Sequence, residues 1–155
     1  MKQRLNFNEK GSGAVKALIG IKKYLNQSSI DKQLLELLNF RVSQINRCAF
    51  CLDMHSKELL AHGESAQRLF VMDAWREAPF FSEKERAVLE WAEALTLLER
   101  SLIPDEIYEE VAKHFTEPEL VDLTLAITVI NMANRFNIAF GAPVGAYKVG
   151  LLDSL

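Results

Sequence analysis

The chain has 155 residues, of which 49% are hydrophobic and 25% charged, and its formal net charge is −3. This size and composition are typical of one globular domain that buries its own core. The net negative charge excludes a uniformly basic nucleic-acid-binding domain, and the polar start MKQRLNFNEKGSG lacks the apolar segment of a secretory signal. We therefore expect a cytoplasmic protein with no nucleic-acid or membrane partner.

Hydrophobic residues recur at helical spacing along most of the chain, and no segment shows the two-residue alternation of a half-buried strand. Residues 1–13 are predicted to be a polar N-terminal arm that ends in the flexible Gly11-Ser12-Gly13, and residues 14–155 to be the helical domain. The predicted helices span residues 14–26, about 30–45, 48–62, 66–75, 83–99, 104–115 and 117–135. We predict an all-α fold, a single-domain bundle of about six to seven helices.

Several residues are typical of helix ends. Gly63 follows the third predicted helix, where a left-handed residue is common. Ser82-Glu83-Lys84-Glu85 and Thr116-Glu117-Pro118-Glu119 both have the form of a capping box. Ser28 or Ser29 is predicted to cap the second helix, with Asp31 in its first turn. Pro104 is predicted to be the first residue of the helix over 104–115.

The last predicted helix is apolar on nearly all sides, which is typical of a helix at the centre of a core or between subunits. Its apolar run from Leu120 to Ala133 is too short to span a bilayer. A polar cluster ends it and fits three placements: lining an active site, bridging subunits, or forming a solvated helix end. The cluster consists of Asn131, Asn134, Arg135 and Asn137. Trp75 and Trp91 are predicted to be core aromatics.

The only two cysteines of the chain, Cys48 and Cys51, lie three residues apart, and His55 follows four residues later. On a helix these spacings place the three side chains on one face. Asn46-Arg47 is a predicted break, so both sulfurs are expected in the first turn of the next helix. Free backbone N–H groups and the helix dipole favour a thiolate there, and Arg47 adds to this effect. The motif therefore predicts dithiol redox chemistry.

The spacing also distinguishes the two sulfurs. His55 can reach Cys51 from one turn away but is less well placed for Cys48. Cys51 is therefore predicted to be the activated thiol and Cys48 its resolving partner, although Cys48 lies nearer the positive end of the helix dipole. Glu36 lies inside the apolar pattern of the preceding helix, which marks it as a candidate functional carboxylate.

Two other interpretations of the cysteine pair remain open. Free cysteines are often small buried hydrophobic residues without chemistry. A structural zinc site needs four ligands, and Cys48, Cys51 and His55 supply three. His62 lies about 10 Å further along the helix at a rise of about 1.5 Å per residue, and the position of His114 is undetermined. We predict no metal and no cofactor.

The spacing of Glu36, Cys48, Cys51 and His55 resembles the active-site signature of the AhpD-like alkylhydroperoxidases, which belong to the carboxymuconolactone decarboxylase superfamily. Two later segments, FFSEKERAVLEWAEALTLL (80–98) and NMANRFN (131–137), are also similar to that family. The resemblance covers roughly residues 15–140. It implies an all-helical subunit that assembles into a homotrimer or homohexamer.

The resemblance also implies an activity, the reduction of organic hydroperoxides through a disulfide cycle. By position, Cys51 is similar to the peroxidatic cysteine and Cys48 to the resolving one, with Glu36 and His55 as a proton relay. The implied partners are a small hydroperoxide and an external dithiol reductant protein. The chain departs from the best-studied AhpD proteins at Phe50, where they carry a second histidine.

Two alternatives to a peroxidase remain at this stage. One is a carboxymuconolactone decarboxylase-like lyase, an activity that does not depend on a cysteine pair. The other is a non-enzymatic, redox-responsive oligomer in which the disulfide controls packing.

Overall fold

The computed structural model describes residues 2–98 and 102–151. In these two ranges the chain folds into eight α-helices and one short 3₁₀ helix, without a strand. In chain order they are α1 Phe7–Lys10, α2 Ser12–Leu25, α3 Lys32–Ile45, α4 Ala49–Ala61, α5 Ala66–Phe70, the 3₁₀ helix Met72–Ala74, α6 Glu83–Thr96, α7 Asp105–Ala112 and α8 Glu117–Phe140. The prediction of an all-α bundle is confirmed, with α1 as an additional short helix. The predicted end near Glu99 lies outside the described residues.

Two of the later helices, α6 and α8, begin with the capping boxes that the sequence predicts. Ser82 and Thr116 both form complete capping boxes, in which the side chain accepts from the N3 backbone N–H and the N3 glutamate accepts from the cap. Two predicted starts were wrong. Asp31, not Ser28 or Ser29, caps α3, because its carboxylate accepts a hydrogen bond from Leu34 N at 2.9 Å. Pro104 is the cap before α7 and not its first residue.

Helix α8 is longer than predicted and continues past residue 135 to Phe140, where Gly141 takes the left-handed conformation at φ 67°. The predicted polar arm packs against this end. Arg4 donates from its backbone N to Phe140 O at 2.8 Å and from its guanidinium to Ala139 O at 2.9 Å. Phe7 stacks edge-on against Phe136, 5.7 Å between ring centres. The arm therefore satisfies carbonyl groups that the end of α8 would otherwise leave unpaired.

Helix α3 lies between the two hydrophobic clusters of the core. Its residues Leu38 and Val42 pack with α6 and α8, while Leu37 and Phe40 face α4 and the segment after it. The larger cluster also holds Trp91, and the smaller one holds Trp75, so both tryptophans are core residues as predicted. Because α3 contributes to both clusters, it fixes the positions of α4 and α8 relative to each other.

By length and composition alone, α8 could cross a bilayer, with a mean hydropathy of 1.2 over its most apolar window. One such helix is weak evidence for a membrane span.

The segment after α8 is docked on α4, a placement that the sequence left open. The Asp53 carboxylate accepts from Gly145 N at 3.1 Å, and Lys57 donates to the carbonyls of Gly145 and Tyr147. The buried Glu58 carboxylate accepts from the Tyr147 hydroxyl. The segment therefore closes one side of the helix that carries the cysteines.

A buried ion network joins α3, α6 and the 3₁₀ region, and the sequence did not indicate it. The Glu93 carboxylate accepts from Arg41 Nε at 2.8 Å, Trp75 Nε1 at 2.7 Å and Arg76 at 2.6 Å. Burial by itself raises the pKa of Glu93, but the three hydrogen bonds and the charge of Arg41 outweigh it, so the pKa lies below its usual value. The stability that this carboxylate contributes is therefore present at neutral pH and is lost as the pH falls through that lowered pKa.

We expect Glu93→Gln to lower the free energy of unfolding by about 3 kcal/mol, because it leaves the buried guanidinium of Arg41 with only the exposed carboxylate of Asp73 as an ionised partner. Urea denaturation at pH 7 measures this loss. The matched control is Glu90→Gln on the same helix, whose carboxylate pairs with Arg76 at 3.5 Å in a more exposed position. In this control, the loss of unfolding free energy should stay within about 0.5 kcal/mol. Equal losses in the two variants would contradict a stabilising network.

Candidate active site

A tight turn between α3 and α4 positions the cysteines. Asn46 ends α3, Arg47 takes a positive φ of 56°, and Cys48 caps α4. The Cys48 N–H donates to Ser43 O at 3.0 Å, which closes the turn. Cys51 lies in the first turn of α4, as predicted. The local chain direction therefore places both sulfurs at the positive end of the helix dipole.

Cys48 and Cys51 form a disulfide, with their Cα atoms 5.4 Å apart. This distance lies within the usual range for disulfides, so the bond can form and break with little backbone movement. Both residues are almost fully buried, with 1% and 0% of their surface exposed. The pair is thus shielded from solvent in its oxidised form.

Glu36 and His55 are in direct contact across the α3–α4 interface, with 2.6 Å between Glu36 Oε2 and His55 Nδ1. His55 lies on α4 one turn after Cys51 and is 1% exposed. Its other ring nitrogen, Nε2, is buried and has no hydrogen-bond partner among the described residues. One nitrogen of the imidazole is therefore oriented by a carboxylate while the other is available for proton transfer.

The environment of Glu36 favours its ionised form. Burial raises the pKa of this carboxyl, but the charge of His55, its hydrogen bond, and smaller effects of Lys22 and Asn39 lower it by more. The net result is a pKa below the ordinary value of 4.5. Glu36 is therefore a carboxylate at neutral pH and is suited to stabilising a protonated imidazole.

Two residues of the polar cluster at the end of α8, Asn131 and Asn134, are buried against the turn, whereas Asn137 is half-buried and Arg135 is exposed. Asn46 donates to the side-chain oxygens of both Asn131 and Asn134 at 2.9 Å, and Asn134 donates to Ser43 Oγ at 3.1 Å. Asn137 reaches the cysteine pair, donating from Nδ2 to the Cys51 sulfur at 3.3 Å. The three-residue spacing of these asparagines is a signal that would have placed them on one helix face, but the sequence prediction left their placement open.

A cleft of about 450 Å³ opens beside this site. Glu36 and His55 line it, together with apolar side chains of α2, α3, α4 and α8, whereas neither cysteine does. The apolar lining residues are Leu25, Leu35, Met54, Leu59, Ala126, Val129, Ile130 and Ala133. The site therefore presents its acid–base pair to the cleft and keeps its sulfurs behind that pair.

The three histidines have different environments. His62, predicted to lie at a helix end, contacts the Glu58 carbonyl oxygen through Nδ1 at 2.8 Å. His114 lies on the far side of the bundle, with Nε2 3.9 Å from Glu110. Within residues 2–98 and 102–151, no group of three or more His, Cys, Asp and Glu side chains is arranged to hold a metal ion.

Comparisons with known proteins agree with this geometry. The sequence profile of the carboxymuconolactone decarboxylase family matches residues 13–94. The uncharacterised protein YdfG of Bacillus subtilis (strain 168) is 43% identical over 141 residues, which are 91% of this chain and 96% of YdfG. The uncharacterised YnjA of Escherichia coli (strain K12) is 32% identical over 117 residues, which are 76% of this chain and 64% of YnjA.

Solved structures share the fold over most of the chain. A protein of unknown function from Agrobacterium tumefaciens, provisionally described as the antioxidant defence protein AhpD, superposes with a TM-score of 0.89 at 36% identity, covering 94% of this chain and 100% of that one. The debrominase Bmp8 superposes with a TM-score of 0.77 at 21% identity, covering 89% and 74%. The second likeness concerns the fold alone. With a family profile that matches more than half of the 155 residues, this chain belongs to the carboxymuconolactone decarboxylase family, within its AhpD-like branch.

Proposed function

We propose that the protein is a thiol-dependent peroxidase that reduces organic hydroperoxides. The observation that carries this proposal is the Cys48–Cys51 disulfide at the start of α4, with the hydrogen-bonded Glu36–His55 pair one turn away. The Agrobacterium relative, with its provisional description as an antioxidant defence protein, supports the same class of reaction.

The cycle begins with Cys51 as a thiolate, which attacks the terminal oxygen of the hydroperoxide. A sulfur–oxygen bond forms, the oxygen–oxygen bond breaks, and the alkoxide takes a proton from His55 and leaves as an alcohol. Cys51 is then a sulfenic acid. The Cys48 thiol gives up its proton and attacks the sulfenic sulfur of Cys51, the disulfide forms, and the released hydroxide takes that proton and leaves as water.

Glu36 and His55 serve both proton transfers in this scheme. The carboxylate orients Nδ1, so Nε2 is the nitrogen that accepts the thiol proton and later returns it to the leaving oxygen. The buried, unpartnered Nε2 supports this role. Because the cleft is lined by His55 and by neither cysteine, a hydroperoxide bound in the cleft must approach the Cys51 sulfur past the His55 ring.

An external dithiol protein completes the cycle by thiol–disulfide exchange: it is oxidised to a disulfide while Cys48 and Cys51 become thiols again. Such reductants are maintained in the cytoplasm, which is therefore the compartment we propose. No redox cofactor is needed, since the electrons pass only between thiols and the hydroperoxide.

We also propose that the subunits assemble into a homotrimer or homohexamer. Only 28% of the most apolar window of α8 is buried within the protomer, whereas a core helix is buried over most of its length. The apolar residue Val121 is 67% exposed on this helix. Contact between subunits would remove such surface from water.

Cys51→Ser should abolish consumption of tert-butyl hydroperoxide with a dithiol reductant, because the attacking thiolate is lost. Once reduced and then freed of the dithiol, Cys48→Ser should consume about one equivalent of peroxide per subunit and stop at the sulfenic acid, because it has no resolving thiol. A ferrous-ion peroxide assay measures both. Turnover by Cys51→Ser at the wild-type rate would refute the peroxidase, and conversion of a carboxymuconolactone-type lactone by both variants would favour a lyase.

Glu36→Gln should move the pH dependence of Cys51 alkylation by iodoacetamide to higher pH, because a neutral amide stabilises the imidazolium less well than a carboxylate. Since the pKa of Glu36 is lowered below 4.5, the wild-type carboxylate stays ionised at neutral pH and loses its effect only as the pH falls through that lowered value. Glu64→Gln, in the turn after α4 where the carboxylate pairs with Arg68 at 3.1 Å, is the control for a general charge effect. An unchanged alkylation profile in Glu36→Gln would remove Glu36 from the relay.

Multi-angle light scattering of the wild-type protein should give the mass of three or six subunits. The variant Val121→Asp tests whether the exposed face of α8 takes part, because a charge in an apolar contact costs several kcal/mol when it is desolvated. A monomeric wild-type protein at micromolar concentration would contradict the assembly.

A further inference from the structure

We propose that Asn137 is a positioning residue that selects Cys51 as the thiolate of the pair, a role that rests on the proposed peroxidase function. Its side-chain amide donates from Nδ2 to the Cys51 sulfur at 3.3 Å, from α8 across to α4. The residue is therefore placed to act on the charge of that sulfur directly.

The donor character of this contact decides its effect. A disulfide sulfur is a weak acceptor, whereas a thiolate carries a full charge and accepts strongly. When the disulfide is reduced and Cys51 ionises, the same amide N–H donates a charge-assisted hydrogen bond to the thiolate. The contact thus stabilises the thiolate form of Cys51 over its thiol form.

A buried ladder of amides holds Asn137 in place. One turn earlier on α8, Asn134 is fully buried and bonds Ser43 Oγ, and Asn131 and Asn134 share the amide of Asn46. Asn46 lies two residues before Cys48, so the ladder links α8 to the turn that carries the cysteines. Rotation of α8 about its axis would break several of these bonds at once.

The backbone of Asn137 is fixed as well. Its carbonyl oxygen accepts from Gly141 N in the left-handed cap of α8, and from Ala142 N at 2.9 Å. Backbone and neighbouring side chains therefore restrict the amide to a small range of positions. A donor fixed in advance loses little conformational entropy when the thiolate forms.

Other charged and titratable groups also act on Cys51, and the test must hold them constant. They are Cys48 at the cap, His55 on the same helix, Glu36 on α3 behind His55, and Arg47 in the turn. Removing Cys48 leaves a single thiol to titrate, and the other three groups stay unchanged in every variant. The background for all measurements is therefore Cys48→Ser.

In that background, the rate of Cys51 alkylation by iodoacetamide is measured from pH 5 to pH 10. Asn137→Ala should raise the apparent pKa of the Cys51 thiol by about one unit and so lower the alkylation rate at neutral pH about tenfold. Asn137→Asp, which has the same shape but places a carboxylate against the sulfur, should raise it further. Ile138→Asp is the matched control, because it adds the same charge one residue later at a position that is 41% exposed.

The control should remain within twofold of the background, and circular dichroism should show that all variants stay folded. The proposal would be overturned if the alkylation rates of both Asn137→Ala and Asn137→Asp stayed within twofold of the background. It would also be overturned if the apparent pKa of Cys51 shifted in Asn137→Asp but not in Asn137→Ala. Alkylation involves no peroxide, so this result is independent of whether the protein turns over hydroperoxides. Loss of peroxide turnover with an unchanged thiol pKa would instead count against Asn137 as a thiolate-positioning group.

Discussion

The packing of α3 between its neighbours is the constraint on which the candidate site depends. Leu38 and Val42 are fully buried against α6 and α8, while Leu37 faces α4. Because a close-packed interior resists small rotations, α3 cannot turn without opening one of the two clusters. That fixed orientation presents Glu36 to His55 and brings Ser43 and the turn after α3 to the asparagines of α8.

The site places polar groups where an apolar core would be easier to build. Each buried amide or carboxylate must find partners, and the asparagines of α8 do so among themselves and with the turn. Three buried side-chain nitrogens have no hydrogen-bond partner among the described residues: His55 Nε2 in the site, and Arg68 Nε and His114 Nε2 outside it. An unpaired buried nitrogen costs about 1–3 kcal/mol. The His55 nitrogen differs from the other two because its ring lines the cleft beside the cysteines.

Much of this arrangement could be predicted because its signals are local. The capping boxes at Ser82 and Thr116 depend on residues within one turn, and each is where the sequence predicted it. Helix α4 begins at Ala49, one residue after the predicted start, with Cys48 as its cap. The contact between Glu36 and His55 joins two helices, and it was expected through a resemblance, not through spacing alone. The roles assigned to these residues remain predictions.

What could not be predicted depends on contacts between distant parts of the chain. In the sequence, Arg41 and Glu93 resemble surface charges on amphipathic helices. Only the folded structure brings Arg41 Nε to 2.8 Å from Glu93 Oε1. The arm at residues 2–10 gains its helix by packing on the end of α8, which also explains why α8 is longer than predicted. The same residues fit a solvated helix end and a buried ladder of amides. The sequence therefore left the placement of Asn134 and Asn137 open.

Phe50 limits what the cysteine motif can do by itself. This half-buried side chain stands between the two cysteines, where it can neither donate nor accept a proton. In the proposed peroxidase cycle, proton transfer is therefore assigned to His55, which lies one turn after Cys51 on α4 and is oriented by Glu36 of α3. Asn137 of α8 contacts the Cys51 sulfur from a third helix. The proposed chemistry of a short motif on α4 thus depends on side chains of two other helices, and the packing of α3 between its neighbours fixes where those side chains lie.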